Sequence, residues 1–206
     1  MSIQAPRLTY NRIKLHADTF LREHNPENKV PVPIESILDV KLEINIIPVP
    51  GLIDFHVDAY TWSDLESIMV DKFFYDKQTR RYRFTLAHET GHIVLHSDIL
   101  KRSRVSSVDE YLDFVNDIGE EAHRWTEWQA DCFAGLLLVP SAPLVSKLQE
   151  ATKMCDEKGL SPKDISTRGY IADWISDFFE VSAQTIETRL VYDGLWERVE
   201  RKKKTR

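Results

Sequence analysis

RFTLAHETGHIVLH, residues 83–96, is the stretch on which the fold turns. Phe84, Ala87, Gly91, Val94 and Leu95 recur at the spacing of one helical face, and His88 and His92 sit on its border. At ~100° per residue, two side chains four apart point ~40° from each other and one turn apart, so both imidazoles can reach one ion. His88-Glu89-Thr90-Gly91-His92 is thus an H-E-x-x-H helix. Zinc suits it, because neutral imidazoles bind at ~2.0 Å and Glu89 on the next flank can take a proton from a water that the metal has made acidic. Two buried histidines satisfied by backbone carbonyls are the bland alternative, but a pair flanking a Glu at this spacing favours a metal.

A second stretch, TEWQADCFAGLLLVP (126–140), offers a candidate third ligand, the bland alternative being that Glu127 and Asp131 salt-bridge to Arg124 or another surface base. Glu127 and Asp131 are four apart and share a helix face with Ala130 and Ala134, while Trp125, Phe133 and Leu136 project oppositely. A carboxylate on a face lined by alanines can approach another helix closely. Glu127 then completes a His-His-Glu set with the fourth position left to water, and Asp131 is placed to accept the free ring N–H of His88 or His92. Gln129 and Glu120 fit a ligand role less well. His96 lies ~12 Å beyond His88 along a straight helix, too far to share the ion, and is a candidate for substrate or oxyanion contact together with Tyr82 and His123. The donor set accepts manganese as well as zinc, with the affinity order favouring zinc.

Outward from these helices the pattern is α+β. Residues 8–24 form an amphipathic helix on Ile13, Ala17, Phe20 and Leu21, and a short helix follows at IESILDV (34–40). LEINIIPV (42–49) and the alternating 53–60 segment read as strands joined at Pro50-Gly51, with a third strand at SIMVD (67–71). A small twisted sheet of about three strands would pack on the active-site helix, 82–96. The second long helix covers 120–138, and the acidic stretch 105–121, without Lys or Arg, reads as a surface excursion. Helices are expected at 143–157, 168–179 and 182–192, with Trp174, Phe178, Phe179 and Ile186 as their core. The whole chain, 1–206, reads as one domain: 1–140 with the sheet and the metal-site helices, 141–195 as a helical layer, and 196–206 as a solvated basic tail.

Composition narrows the function classes. With 206 residues, 42% hydrophobic and 29% charged, the chain is neither disordered nor fibrous. Its longest apolar run, Phe133 to Val139, falls far short of the ~20 residues of a membrane helix, and the first fifteen residues carry no secretory pattern, so a cytoplasmic location and no membrane partner are expected. Cys132 and Cys155 alone cannot build a disulfide framework or a four-cysteine zinc site. A net charge of −6 argues against a dedicated nucleic-acid binder. The segment 177–190 resembles the turn and second helix of a helix-turn-helix, with Ser182 as cap, but Arg189 is its one base and Asp173, Asp177 and Glu180 precede it. A packed helical layer explains it better than DNA binding.

The two long helices together resemble the ImmA/IrrE family of zinc metallopeptidases. The family pattern, close to R-F-T-x-A-H-E-x-G-H-x-x-L-H and then E-x-E-A-N-x-F-A-x-x-L-L-x-P, is matched at Arg83, Phe84, Thr85, Ala87, His88, Glu89, Gly91, His92, Leu95 and His96. In the second helix it is matched at Glu127, Ala130, Phe133, Ala134, Leu137, Leu138 and Pro140. Gln129 stands for the family's second Glu and Asp131 for its usual Asn, changes that remove no ligand. The resemblance implies proteolysis of repressor-type regulators in bacteria and mobile elements. The reading is therefore a zinc endopeptidase with His88, His92 and Glu127 as ligands and Glu89 as general base, acting on a protein or peptide that could add in extended form to the sheet edge. The competing class is a regulatory protein that uses the same site for structure or sensing and binds its partner without cutting it.

Overall fold

The computed structural model describes the backbone at residues 5–77 and 79–204 and side chains through residue 199. It is mostly helical with one small mixed sheet, an α+β fold as expected. In chain order the elements are α1 (Tyr10–His24), α2 (Ile34–Ser36) with a π-turn (Ile37–Lys41), β1 (Asn45–Val49), a 3-10 turn (Leu52–Phe55), β2 (Ala59–Thr61) and β3 (Ser67–Asp71). There follow α3 (Lys72–Lys77), α4 (Arg80–Ser103), α5 (Val108–Ile118), α6 (Glu120–Leu138), α7 (Ser141–Glu157), α8 (Ile165–Phe179), α9 (Ala183–Tyr192) and α10 (Leu195–Lys204). The chain divides into two compact units, residues 1–29 with 33–137, and 30–32 with 138–206.

In the first unit the sheet order is β1-β3-β2, with β1 parallel to β3 (Asn45 opposite Ser67, Val49 opposite Asp71) and β2 antiparallel to it (Ala59 opposite Val70). β3 is central and buried along its whole length, with the apolar run Ile68-Met69-Val70 flanked by buried Ser67 and Asp71. The strand expected over 53–60 forms only as Ala59–Thr61. Upstream, Gly51 and His56 both take positive φ, the carboxylate of Asp71 accepts the Ile53 N–H at 3.0 Å, and the chain coils into the 3-10 turn. Ile53 and Phe55, which the alternation would bury, are instead exposed.

Helix α4 starts earlier and runs later than residues 82–96. Thr79 caps its N-terminus by accepting from the Tyr82 N–H, and His96 leaves helical geometry at φ −128°, ψ 20°. Its buried face is not the apolar stripe alone: Phe84, Val94 and Leu95 are half-buried, whereas Tyr82, Thr85, Leu86, Ala87, Glu89, Thr90, Gly91 and His96 are buried. On α1, Ile13, Ala17 and Phe20 are buried, and Phe20 meets Phe133 of α6 edge to face at 6.0 Å. The acidic excursion is the helix α5, capped by Ser107. Its acidic side chains Asp109, Glu110, Asp113 and Asp117 are exposed, and Tyr111, Leu112 and Phe114 pack on a small core around Tyr60, Met69 and Val105.

In the second unit α7 begins before Pro143, because proline is tolerated in a first helical turn. The core is Leu144, Leu148, Ile171, Ile175, Phe179, Val181, Ile186 and Leu190. Trp174 is only half-buried and Phe178 exposed, a correction to the expected core, and Lys147 lies over both rings at 5.2 and 4.6 Å. The expected tail from 196 is helix α10 as far as Lys204, and the solvation of RKKKTR lies outside the described side chains. Cys132 and Cys155 are both buried. Among the described residues no single helix is long and apolar enough to cross a membrane.

Candidate metal centre

The close approach of α4 and α6 builds the site. Gly91 faces α6 so tightly that a Cβ placed on it would lie 3.0 Å from Ala130 Cα and 3.2 Å from Phe133 Cβ. Ala130 and Ala134, both fully buried, lie on the contact as the sequence suggested. Phe133 does too, rather than on the opposite side, because α6 is buried all round from Cys132 to Leu138.

Across this contact three donors converge. His88 Nε2 and His92 Nε2 are 3.0 Å apart, His88 Nε2 is 3.3 Å from Glu127 Oε2, and His92 Nε2 is 3.3 Å from Glu127 Oε1. Three ligands held tetrahedrally by one ion at ~2.0 Å are about 3.3 Å from each other, so His88, His92 and Glu127 form a group that could hold a metal ion. Imidazole nitrogen and carboxylate oxygen suit zinc and manganese alike.

The atoms behind these donors are also fixed. Asp131 Oδ1 is 2.9 Å from His88 Nδ1, so the ring directs its other nitrogen to the cluster. His92 Nδ1 faces His96 Nδ1 at 3.1 Å. Burial alone would lower the His88 pKa, and the carboxylates of Asp131 and Glu127 more than reverse it, to about 10. Burial would likewise raise Glu127, but its bonds to His88 and His92 hold it well below the usual carboxylate range. For His96, burial and then the neighbouring His92 push the pKa down to about 3, so the ring is neutral.

Glu89 is buried one residue from His88, and its Oε2 accepts the Thr61 hydroxyl at 2.7 Å, which ties the helix to β2, an edge strand of the sheet. Glu89, His92, Glu127, His96 and His123 line a cavity of about 30 Å³ that is roofed by Tyr111, Phe114, Val115 and Ile118 of α5. His123 Nδ1 is 3.6 Å from Glu127 Oε1 and its side chain is about one-third exposed. Tyr82 is not brought to the cavity: its hydroxyl donates to Glu35 at 2.9 Å on another face of α4. Thr61 and Tyr111 belong to the site and the sequence reading passed over both. Burial, then the charges of Glu89 and Glu127, raise the Tyr111 pKa. The signal for Tyr111 was present in the spacing of Val108, Tyr111, Val115 and Ile118, one helical stripe inside the acidic stretch.

In the second unit Ser182 does cap α9, accepting from the Thr185 N–H at 3.1 Å. Arg189 is buried, with its guanidinium on the Val139 carbonyl, Ser141 Oγ and Asp193 Oδ2.

A buried helix with paired histidines facing a carboxylate from a second helix is the arrangement of a metallopeptidase-like domain. The chain belongs to the peptidase M78 family, whose model, described as the IrrE N-terminal-like domain, matches residues 75–191. Among solved structures it is similar to a Mycobacterium tuberculosis transcriptional regulator, at 15% sequence identity and a TM-score of 0.54. That match covers 86% of this chain and 55% of the regulator, so the chain spans about half of the regulator's length and the likeness is one of fold. No curated protein matches the chain.

Proposed function

We propose that the protein is a zinc-dependent endopeptidase that cleaves a specific regulatory protein, such as a helix-turn-helix repressor. The observation that carries the reading is the convergence of His88, His92 and Glu127 within 3.0 to 3.3 Å, with the carboxylate of Glu89 one residue from the first of them. His88, His92 and Glu127 would hold a zinc ion, which would supply the Lewis acidity to polarise a carbonyl and to make water a nucleophile near neutral pH. Glu89 takes the proton of the attacking water and returns it to the leaving amine. The Thr61 hydroxyl, 2.7 Å from Glu89 Oε2, leaves Oε1 free for that exchange and holds the carboxylate in one orientation. Tyr111 and His123, two hydrogen-bonding side chains of the cavity wall, are the candidates to steady the developing oxyanion. β2 offers a substrate in extended form a strand edge beside Glu89.

A peptidase-like domain is supported by membership of the family, and a regulatory substrate is what the resemblance to the ImmA/IrrE family implies. The test replaces Glu89 by Gln, a change that keeps shape and volume. Glu89→Gln is expected to retain zinc and fold and to lose cleavage of the cognate protein. Cleavage by that variant at the wild-type rate removes the mechanism, and wild-type protein that binds its partner without cutting it establishes the non-proteolytic reading instead.

A further inference from the structure

Two buried polar atoms near the site have no partner in hydrogen-bonding geometry: His96 Nε2 on α4 and Gln129 Oε1 on α6. The Gln129 side chain is fully buried and interacts with the His96 ring. Its other end is committed, because Nε2 donates to the Pro6 carbonyl at 2.7 Å. A carbonyl only accepts, so the amide cannot be turned round and Oε1 must face the ring. On its far side that ring meets His92, Nδ1 to Nδ1 at 3.1 Å, where one nitrogen must donate and the other accept. His92 Nε2 in turn lies 3.0 Å from His88 Nε2 and 3.3 Å from Glu127 Oε1.

We propose that Gln129 and His96 are positioning residues that fix the tautomer of His92 through a directed chain of hydrogen bonds. Gln129 Oε1 can only accept, so His96 carries its proton on Nε2 and presents a bare Nδ1. His92 then donates from its own Nδ1, and its Nε2 lone pair is left facing Glu127. Donors therefore point one way from His92 through His96 and Gln129 to Pro6. His88 reaches the same tautomer by a different route, the carboxylate of Asp131, which is exposed. The two imidazoles are thus oriented by unlike partners, one charged and at the surface, the other neutral and inside. The same chain accounts for the buried amide at position 129, since polar atoms left unmet in an apolar contact are costly.

The inference rests on His88, His92 and Glu127 holding the metal, and the experiment separates the two. Zinc stoichiometry and long-range proton–nitrogen NMR spectra of the histidine rings are measured on the wild-type protein, and zinc affinity by chelator competition on Gln129→Leu and Gln129→Glu. The expected result is one zinc per chain, His96 as the Nε2–H tautomer and His92 as the Nδ1–H tautomer. Gln129→Leu is expected to lose about 10- to 100-fold in affinity, the usual effect of removing an outer hydrogen-bond partner, and Gln129→Glu, whose protonated carboxyl can donate to the Pro6 carbonyl and accept from His96, to recover most of it. One zinc per chain with His96 as the Nδ1–H tautomer overturns the positioning role alone, as does wild-type affinity in Gln129→Leu. Absence of zinc binding overturns the ligand reading and this inference with it. Should Gln129→Leu fail to fold, the wild-type tautomers decide the matter.

Discussion

Replacing Gly91 by alanine should cost stability and loosen metal binding, although alanine is the better helix former. In an open helix the change would gain ~1 kcal/mol in propensity. Here the new methyl group would stand 3.0 Å from Ala130 Cα and 3.1 Å from the Ala130 carbonyl, about 0.5 Å inside an ordinary carbon contact of ~3.5 Å. Both neighbours are backbone, so the helices must separate by that amount. Overpacking of this kind costs ~1–3 kcal/mol, which leaves a net loss of ~0–2 kcal/mol after the propensity gain. Ala130 is one turn from Glu127, and a shift of ~0.5 Å exceeds the ~0.2 Å tolerance of metal-ligand distances. Zinc affinity should fall at least about tenfold, or ~1.4 kcal/mol. Urea unfolding of the metal-free protein and chelator competition of the loaded one measure the two effects. A Gly91→Ala protein that is more stable than wild type and binds zinc equally well would refute the idea that this contact sets the site.

Other perturbations probe other parts of the account. Arg189→Ala should destabilise the protein by ~3–5 kcal/mol in denaturant titration, because it removes a buried guanidinium that bonds the Val139 carbonyl, Ser141 Oγ and the Asp193 carboxylate; a change under ~1 kcal/mol would contradict this. The metal-free protein should lose stability with rising pH. The folded His88 pKa, raised to about 10, makes its contribution complete below the ordinary ~6.5 and lost as pH climbs through about 10. Asp131→Asn should flatten that slope in urea midpoints measured across the interval, and an unchanged slope would separate Asp131 from the titration. Glu89→Gln should abolish cleavage with zinc content unchanged.

How much of this was written in the sequence depends on the range of the interactions involved. The convergence of His88, His92 and Glu127 follows from helical periodicity plus one close approach, and alanines at 130 and 134 advertise that approach in the string itself. Asp131 was legible as a partner for an imidazole, although only the packing decides that it serves His88. The segment 53–60 misled because alternation is a property of side chains, whereas its conformation is set by the Asp71 carboxylate and by positive φ at Gly51 and His56. Helix α5 was hidden by its charge: the acidic residues lie on one face, and the stripe with Tyr111 on the other reaches the metal cluster. His96 and Gln129 were judged by whether they could reach the ion, a test blind to hydrogen bonds that run outward from a ligand. Pro6, the end of that chain, lies 123 residues from Gln129, beyond any local pattern.

The most direct test of the central claim is metal content, by mass spectrometry, of the purified protein beside Glu127→Ala. The account predicts about one zinc per wild-type chain and a sharp fall in the variant, because two imidazoles alone leave the site a ligand short. No bound metal in the wild type after zinc is supplied, or an undiminished content in Glu127→Ala, would contradict it.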